Sequence, residues 1–387
     1  MAQQATAAGA AGMAGMVAGE TAIAAALQDA LLYRGYEIAD LAEHATFEEV
    51  AFLLLEGHRP DASELDRFSK ELRGERGLPD RVSAFLDESG ELFRSGAATA
   101  MDLLRTGVSI LGHVDPECQD NAPEAELNKS KRLLAKIPQM IGRMQASIEQ
   151  RDAVAPDSSL GHAANLFKQL TGRTPTEREE RAFDVSLILY AEHDFNASTF
   201  TTRVIAATLS DLHSAIAGGI GALKGPLHGG ANEAAIEMLL ELREAAGKGD
   251  SVDSWMQRAF AEHRKLMGFG HRVYKQGDHR APILHELGRG LAQEKAEAGD
   301  ASFVELFDLG ERVQTIMREQ KSIHPNVDFP CGLAYFTMGI PIAQYTPIFV
   351  ASRVAGWSAH VMEQHANNRL IRPGADYTGP AQRAWNA

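Results

Sequence analysis

The sequence predicts an all-α protein on two observations: apolar residues recur at three- and four-residue spacing along most of the chain, and convincing strand-like alternation is scarce. Residues 20–32, ETAIAAALQDALL, read as helix by propensity, since Ala and Leu dominate. In the stretch from Thr46 to Gly57, TFEEVAFLLLEG, Thr46 and Glu49 make a capping box, while Phe47, Val50, Ala51, Leu54 and Leu55 share one face and Gly57 ends the helix. The same period recurs in Leu65/Phe68/Leu72, in Leu133/Leu134/Ile137/Met140/Ile141/Met144, and in a segment opened by Thr176 and Glu179. Residues 198–223 are apolar on most faces but carry Arg203, Asp211 and His213, which predicts one buried central helix and not a membrane span. Further helical stretches fall near 233–245, 251–266, 281–297 and 301–320. Glycine and proline isolate three loops between them: KGPLHGGANE (224–233), MGFGHRVYK (267–275) and HPNVDFPCG (324–332). No fixed-period repeat is present, which argues against a solenoid.

With 387 residues the chain can bury a large core, in one domain or in two packed together. A formal net charge of -14 argues against nucleic-acid binding, which relies on clustered cations to neutralise phosphates. An anionic substrate therefore needs a local basic pocket. Cys118 and Cys331 are the only cysteines and form no C-x-x-C pair, so neither a disulfide framework nor a structural metal is expected, and a reducing cytoplasm fits. The first twenty residues are rich in small side chains but lack the basic and apolar regions of a secretory leader, and are read as a frayed start. No run approaches the ~18 apolar residues of a membrane helix.

His228 and His271 stand out among 14 histidines because flanking glycines let backbone N–H groups approach a ligand. Those glycines also fit helix caps, and Asn232 fits the start of the next helix, so spacing leaves both readings open. Arg272, Lys275 and Arg280 follow His271 closely and suit a phosphate or carboxylate cradle, though such charge runs are also found on solvated helix faces. A second basic group, Arg353 with Arg369 and Arg372, suits a dicarboxylate, which guanidinium forks bind in bidentate fashion.

Taken together, YRGYEI (33–38), HDFNASTFTTRV (193–204), GPLHGGANE (225–233), GFGHRVYK (268–275), NVDF (326–329), TPIFVASRVAGWSAHVMEQ (from 346) and NNRLIRP (to 373) resemble the citrate synthase family, in the same order and across nearly the whole chain. The resemblance implies a helical homodimer in which a large domain (1–224 and 331–387) and a small one (225–330) enclose a cleft. It implies that Asp328 removes a proton from the acyl group of a CoA thioester, that His228 stabilises the enolate, and that His271 polarises the ketone of oxaloacetate. It places His193, Arg280, Arg353 and Arg372 around oxaloacetate, Arg372 from the neighbouring subunit, and Gly268, Gly270, Arg272 and Lys275 around CoA. No metal or resident cofactor is implied, the CoA thioester being a substrate.

Two positions depart from that pattern. Pro330 and Cys331 follow Asp328 where relatives commonly carry Ser or an aromatic, and Cys331 is read as a small buried hydrophobe, not a reactive thiol. Relatives also tend to form a short hairpin where residues 20–32 look helical. Citrate synthase acting on acetyl-CoA and 2-methylcitrate synthase acting on propionyl-CoA share every quoted motif, and they differ by one methylene in an apolar pocket. Two readings from other classes are a metal-dependent hydrolase using His193, His228, His271 and Asp328 as ligands, and a non-catalytic helical interaction protein. Against the former, no His-x-x-x-His pair occurs in these loops; the latter is discriminated by whether the three loops converge on one cleft, scattered loops favouring it.

Overall fold

Ala-rich composition favours helix over residues 20–32, yet in the computed structural model, which describes residues 16–385, this stretch opens a three-stranded antiparallel sheet. Strand β1 (Ala24–Ala26) pairs with β2 (Leu31–Tyr33), and β2 with β3 (Tyr36–Glu37). Arg34 and Gly35, at φ 49° and 90°, form the two-residue turn that joins β2 to β3, the geometry that suits a right-twisted hairpin. Tertiary contacts override propensity here. Tyr33 is fully buried, and its hydroxyl donates to the Glu192 carbonyl at 2.8 Å and accepts from the Glu192 N–H at 3.1 Å. The expected frayed start over residues 1–15 lies outside the described residues.

The remaining long elements of the described chain are helices. In order come α1 (Ile38–His44), α2 (Phe47–Glu56), α3 (Ala62–Gly74), α4 (Asp80–Arg94), α5 (Ala100–Val114), α6 (Pro123–Ile148), α7 (His162–Thr171) and α8 (Glu177–Tyr190). They are followed by α9 (Ala197–Ala206), α10 (Leu212–Leu223), α11 (Ala231–Gly247), α12 (Val252–Ala261), α13 (Arg280–Glu297), α14 (Ser302–Lys321), α15 (Asp328–Thr337) and α16 (Tyr345–Ala366). The all-α expectation holds. The Thr46/Glu49 and Thr176/Glu179 capping boxes form as read, and Gly57 closes α2 at φ 85°.

Two expectations need correction. Residues 198–223 form two helices, not one: Leu209 takes the left-handed conformation, and the Asp211 carboxylate accepts the Ser214 N–H at 2.8 Å, starting α10 afresh. The loop read at 324–332 ends early, because α15 begins at Asp328. Asn326 Oδ1 accepts the Asp328 N–H at 3.1 Å, and Pro330 sits in the first turn, where a backbone N–H has no helical partner to lose.

Helix α16 is buried without interruption from Tyr345 to Val361 and packs on α2, α6, α8, α9 and α10. Helices α11 to α15 pack mainly on one another, touching the rest of the described chain where α13 meets α1 and α8, where α15 meets α8 and where α11 meets α16. Position 330, the expected limit of the small domain, falls inside α15, so a continuous helix carries the chain across it. No described helix is long and apolar enough to cross a membrane.

Candidate active site

Two of the three glycine-bearing loops are joined by backbone pairing. The Gly270 N–H donates to the His324 carbonyl at 2.8 Å, the Asn326 N–H to the Gly268 carbonyl at 2.9 Å, and Phe269 bridges Pro325. Gly268 cannot be replaced cheaply. Its φ is +80°, and a Cβ there would lie 2.9 Å from the Phe329 Cβ and 3.1 Å from the Ala235 Cβ. These loops meet the 225–230 turn and the N-terminal end of α9 at one cleft of about 680 Å³, lined by His193, His228, His271, Arg280, Asp328 and Arg353. Gly268, Gly270 and Arg272 line it too. The three loops therefore converge, which removes the basis for a non-catalytic scaffold.

The two glycine-flanked imidazoles are held as neutral donors. The Ser198 backbone N–H, which can only donate, points at His228 Nε2 at 3.3 Å, and the Ser198 hydroxyl lies 2.8 Å from the same nitrogen. Nε2 is thus the acceptor, and the proton resides on Nδ1. For His271, the Val273 and Tyr274 N–H groups donate to Nδ1 at 3.1 and 3.3 Å, leaving the proton on Nε2. Burial pushes both rings down to about 4, with Arg353 adding to the effect on His228 and Arg280 to that on His271. Burial likewise holds the His193 imidazole well below its ordinary range. His193 Nε2 lies 3.0 Å from the Tyr274 hydroxyl, and its ring centroid is 4.9 Å from that of His271.

Asp328 is the first residue of α15 and lines the cleft. Burial pushes its carboxyl up to about 6, against the opposing pull of the Tyr190 hydroxyl, which donates to Oδ1 at 2.8 Å, and of Arg280 and Arg353. A carboxylate of raised pKa that shares a cleft with neutral N–H donors can accept a proton from carbon while the donors stabilise the oxyanion that forms. Arg280 is buried and held in bidentate fashion by Asp278, at 2.9 and 2.8 Å. Asp278 also accepts the Val327 N–H at 3.1 Å, so one carboxylate orients both Arg280 and the start of α15. Arg353 donates from Nε to the Tyr190 carbonyl at 2.7 Å, and its buried Nη1 finds no partner among the described residues. A substrate carboxylate would satisfy it.

Arg372 is exposed, as is Arg369, and Arg372 does not line this cleft. Lys275 lies in an adjoining recess of about 520 Å³ that shares Lys265, Gly270 and His271 with the cleft and also holds Lys321 and His324. Cys331 is buried on α15, and burial pushes its thiol far up, as suits a small hydrophobe. Asn232 does not cap α11; Gly230 does, and Gly229 packs so closely that a Cβ would lie 2.6 Å from the Leu223 side chain. No three of His193, His228, His271 and Asp328 bring donor atoms within 4.8 Å of one another, so the metal-hydrolase ligand set does not assemble. Sequence reasoning missed Tyr190, Ser198, Tyr274, Asp278 and Asn326, all of which position the residues it found. Tyr274 and Asp278 stood within the basic segment already singled out, and Ser198 and Asn326 within quoted motifs, but none carried a signal of its own; Tyr190 stood in neither.

The family model for the citrate synthase C-terminal domain matches residues 12–374. The chain is 43% identical over 378 residues to a 2-methylcitrate synthase of Shewanella oneidensis, covering 96% of each protein, and 40% identical over 374 residues to citrate synthase 2 of Bacillus subtilis, covering 97% of each. Among solved structures, it superposes with a TM-score of 0.87 on a citrate synthase from Thermoplasma acidophilum in ternary complex with carboxymethyl coenzyme A and oxaloacetate, at 29% identity and 97% coverage of both chains. A citrate synthase from Pyrobaculum aerophilum gives 0.84 at 35% identity, with 96% of this chain and 92% of that one covered.

Proposed function

The chain belongs to the citrate synthase family, an enzyme family that condenses an acyl-CoA with oxaloacetate, and on that premise we propose that its reaction is acetyl-CoA plus oxaloacetate to citrate and free CoA. The observation that carries this reading is the cleft itself: two imidazoles whose acceptor nitrogens are occupied by backbone N–H groups line the same cleft as a carboxylate of raised pKa. Asp328 takes a proton from the thioester α-carbon as His228 Nδ1–H donates to the developing enolate oxygen. His271 Nε2–H polarises the oxaloacetate ketone, the enolate carbon attacks it, and the new alkoxide takes the Nε2 proton, which the protonated Asp328 restores through solvent. Water then cleaves the citryl thioester, releasing CoA and a carboxylate. A positioned base contributes about 10²–10⁴-fold and an oxyanion donor roughly 2.7–4 kcal/mol, so the assignments are large enough to matter.

Arg280 and Arg353 bind the oxaloacetate carboxylates, with His193 beside them. Arg372, exposed and not among the residues lining its own cleft, reaches the cleft of a second copy in a homodimer. Arg272, Lys275 and the lysines of the adjoining recess hold the CoA phosphates, with Gly268 and Gly270 admitting the cofactor-like handle close to the backbone. Helices α11 to α15 serve as a small domain that closes on the substrates and keeps water out until condensation is complete. Leu227, 88% exposed at the cleft edge, is an apolar surface available for that closure.

A second reading, 2-methylcitrate synthesis from propionyl-CoA, is favoured by the Shewanella oneidensis relative. Both readings are tested by following free-thiol release from acetyl-CoA and propionyl-CoA, with and without oxaloacetate. Oxaloacetate-dependent release with the higher kcat/KM for acetyl-CoA supports the first reading, the reverse order supports the second, and no release from either ester overturns both.

A further inference from the structure

We propose that Cys118, Asp211 and His213 form a binding site for a divalent cation of the zinc class, separate from the catalytic cleft. None of the three lines that cleft. The observation that points to a ligand is His213: it is 2% exposed, and neither ring nitrogen has a hydrogen-bond partner among the described residues. Its nearest charged neighbour, Asp115, lies 3.6 Å from Nε2 but is already engaged by Arg132 at 2.8 and 2.7 Å. A buried imidazole left in this way is an exception that calls for a partner. Its donor atom, the Cys118 sulfur and an Asp211 carboxylate oxygen all lie within 4.8 Å of one another.

The three side chains are anchored before any ion arrives. Asp211 is the N-cap of α10, its two oxygens receiving the Ser214 N–H at 2.8 Å and hydroxyl at 2.6 Å. Cys118 sits in the α5–α6 connection, whose carbonyls at Cys118 and Asp120 accept from buried Lys129 at 3.4 and 2.5 Å. Gly112 on α5 lets the His213 side chain approach: a Cβ there would lie 2.9 Å from the His213 Cβ and 3.7 Å from the Cys118 sulfur. A tetrahedral zinc ion, roughly 2.3 Å from sulfur and about 2.0–2.1 Å from nitrogen, holds its donors about 3–4 Å apart, so the side chains must draw in by roughly 1 Å.

Thiolate, carboxylate and neutral imidazole balance a charge of two, and the sulfur–nitrogen pair favours zinc, cobalt or nickel over magnesium or calcium. Burial and the Asp211 carboxylate raise the Cys118 thiol, so the free protein keeps that proton. Binding then breaks the S–H bond, forms the S–metal bond and releases one proton to solvent. The fourth position is left to water, since Cys118 and Asp211 are only half-buried.

The test uses the full chain, stripped with a chelator and titrated with Co²⁺. The expected result is a thiolate-to-cobalt charge-transfer band saturating at one equivalent, displaced by Zn²⁺, present in Cys331→Ser and absent in Cys118→Ser, with His213→Asn weakening binding at least tenfold. Zn²⁺ should also raise the Tm of the parent and not that of Cys118→Ser, whose circular dichroism and condensation rate serve as the folding control. No band in the parent protein, or an undiminished band in Cys118→Ser, overturns the proposal.

Discussion

Replacing Tyr190 with Phe isolates the one hydrogen bond that holds the pKa of Asp328 down. The hydroxyl donates to Oδ1 at 2.8 Å and opposes the burial that raises the carboxyl to about 6. The ring is kept, so its packing against Phe349 at a centroid distance of 4.1 Å survives. A hydrogen bond to an ionised group contributes roughly 1.5–3 kcal/mol, and one pKa unit is about 1.36 kcal/mol, so full loss would raise the carboxyl by roughly one to two units. Asp328 is half-buried at the cleft, and water replaces part of the lost bond, which leaves roughly one unit. The sign follows from the role of the base: it must be ionised, so kcat/KM falls tenfold per pH unit below its pKa. His228 and His271, pushed down to about 4, stay neutral across that limb and do not contribute to it. Thiol release measured against pH should show the acid limb moving from about 6 in the parent to about 7 in Tyr190→Phe. A limb that stays put, or moves to lower pH, would refute the assignment of Asp328 as the base.

Asp328→Ala and His271→Ala should each lower kcat by at least ~10², with unchanged circular dichroism, since each removes a group acting on the reacting atoms; normal steady-state rates in either would sink the roles given them. Ser198→Ala removes the hydroxyl behind His228 and leaves its backbone N–H in place. We expect kcat to fall by roughly tenfold with KM for oxaloacetate unchanged, about the loss of one hydrogen bond to a catalytic ring. Asp278→Asn leaves Arg280 as a buried, uncompensated cation, and denaturant unfolding should show a loss of about 3–5 kcal/mol. A change under about 1 kcal/mol would mean that the pair is better solvated than its geometry indicates.

What the sequence revealed was set by how far away each cause lies. The caps at Thr46 and Thr176 involve residues three positions apart, and both formed as read. The hairpin at Ala24–Glu37 answers to Glu192, 159 residues from Tyr33, and nothing in an Ala-rich stretch announces such a partner. The break between α9 and α10 was locally encoded by the Asp211 and Ser214 pair, but apolar residues on most faces masked it. In the site, His228, His271 and Asp328 were legible because glycine, proline and charge collect around them. Tyr190 ends an ordinary helix and Ser198 begins another, so only the three-dimensional structure shows what their hydroxyls touch. Cys118 and His213 carry no spacing pattern, because their neighbourhood is created by Gly112 on a third segment.

The burial of α16 has a consequence for how the chain is made. Helices α2, α6, α8, α9 and α10 leave the ribosome well before the helix they enclose. At roughly 5–20 residues per second, the roughly 140 residues between the end of α10 and the end of α16 leave those apolar faces uncovered for on the order of ten seconds. During synthesis the nascent chain is therefore a natural client for chaperones that shield apolar surface. A premature stop before Tyr345 would not yield a shortened enzyme; it would yield a hollow bundle committed to aggregation or proteolysis.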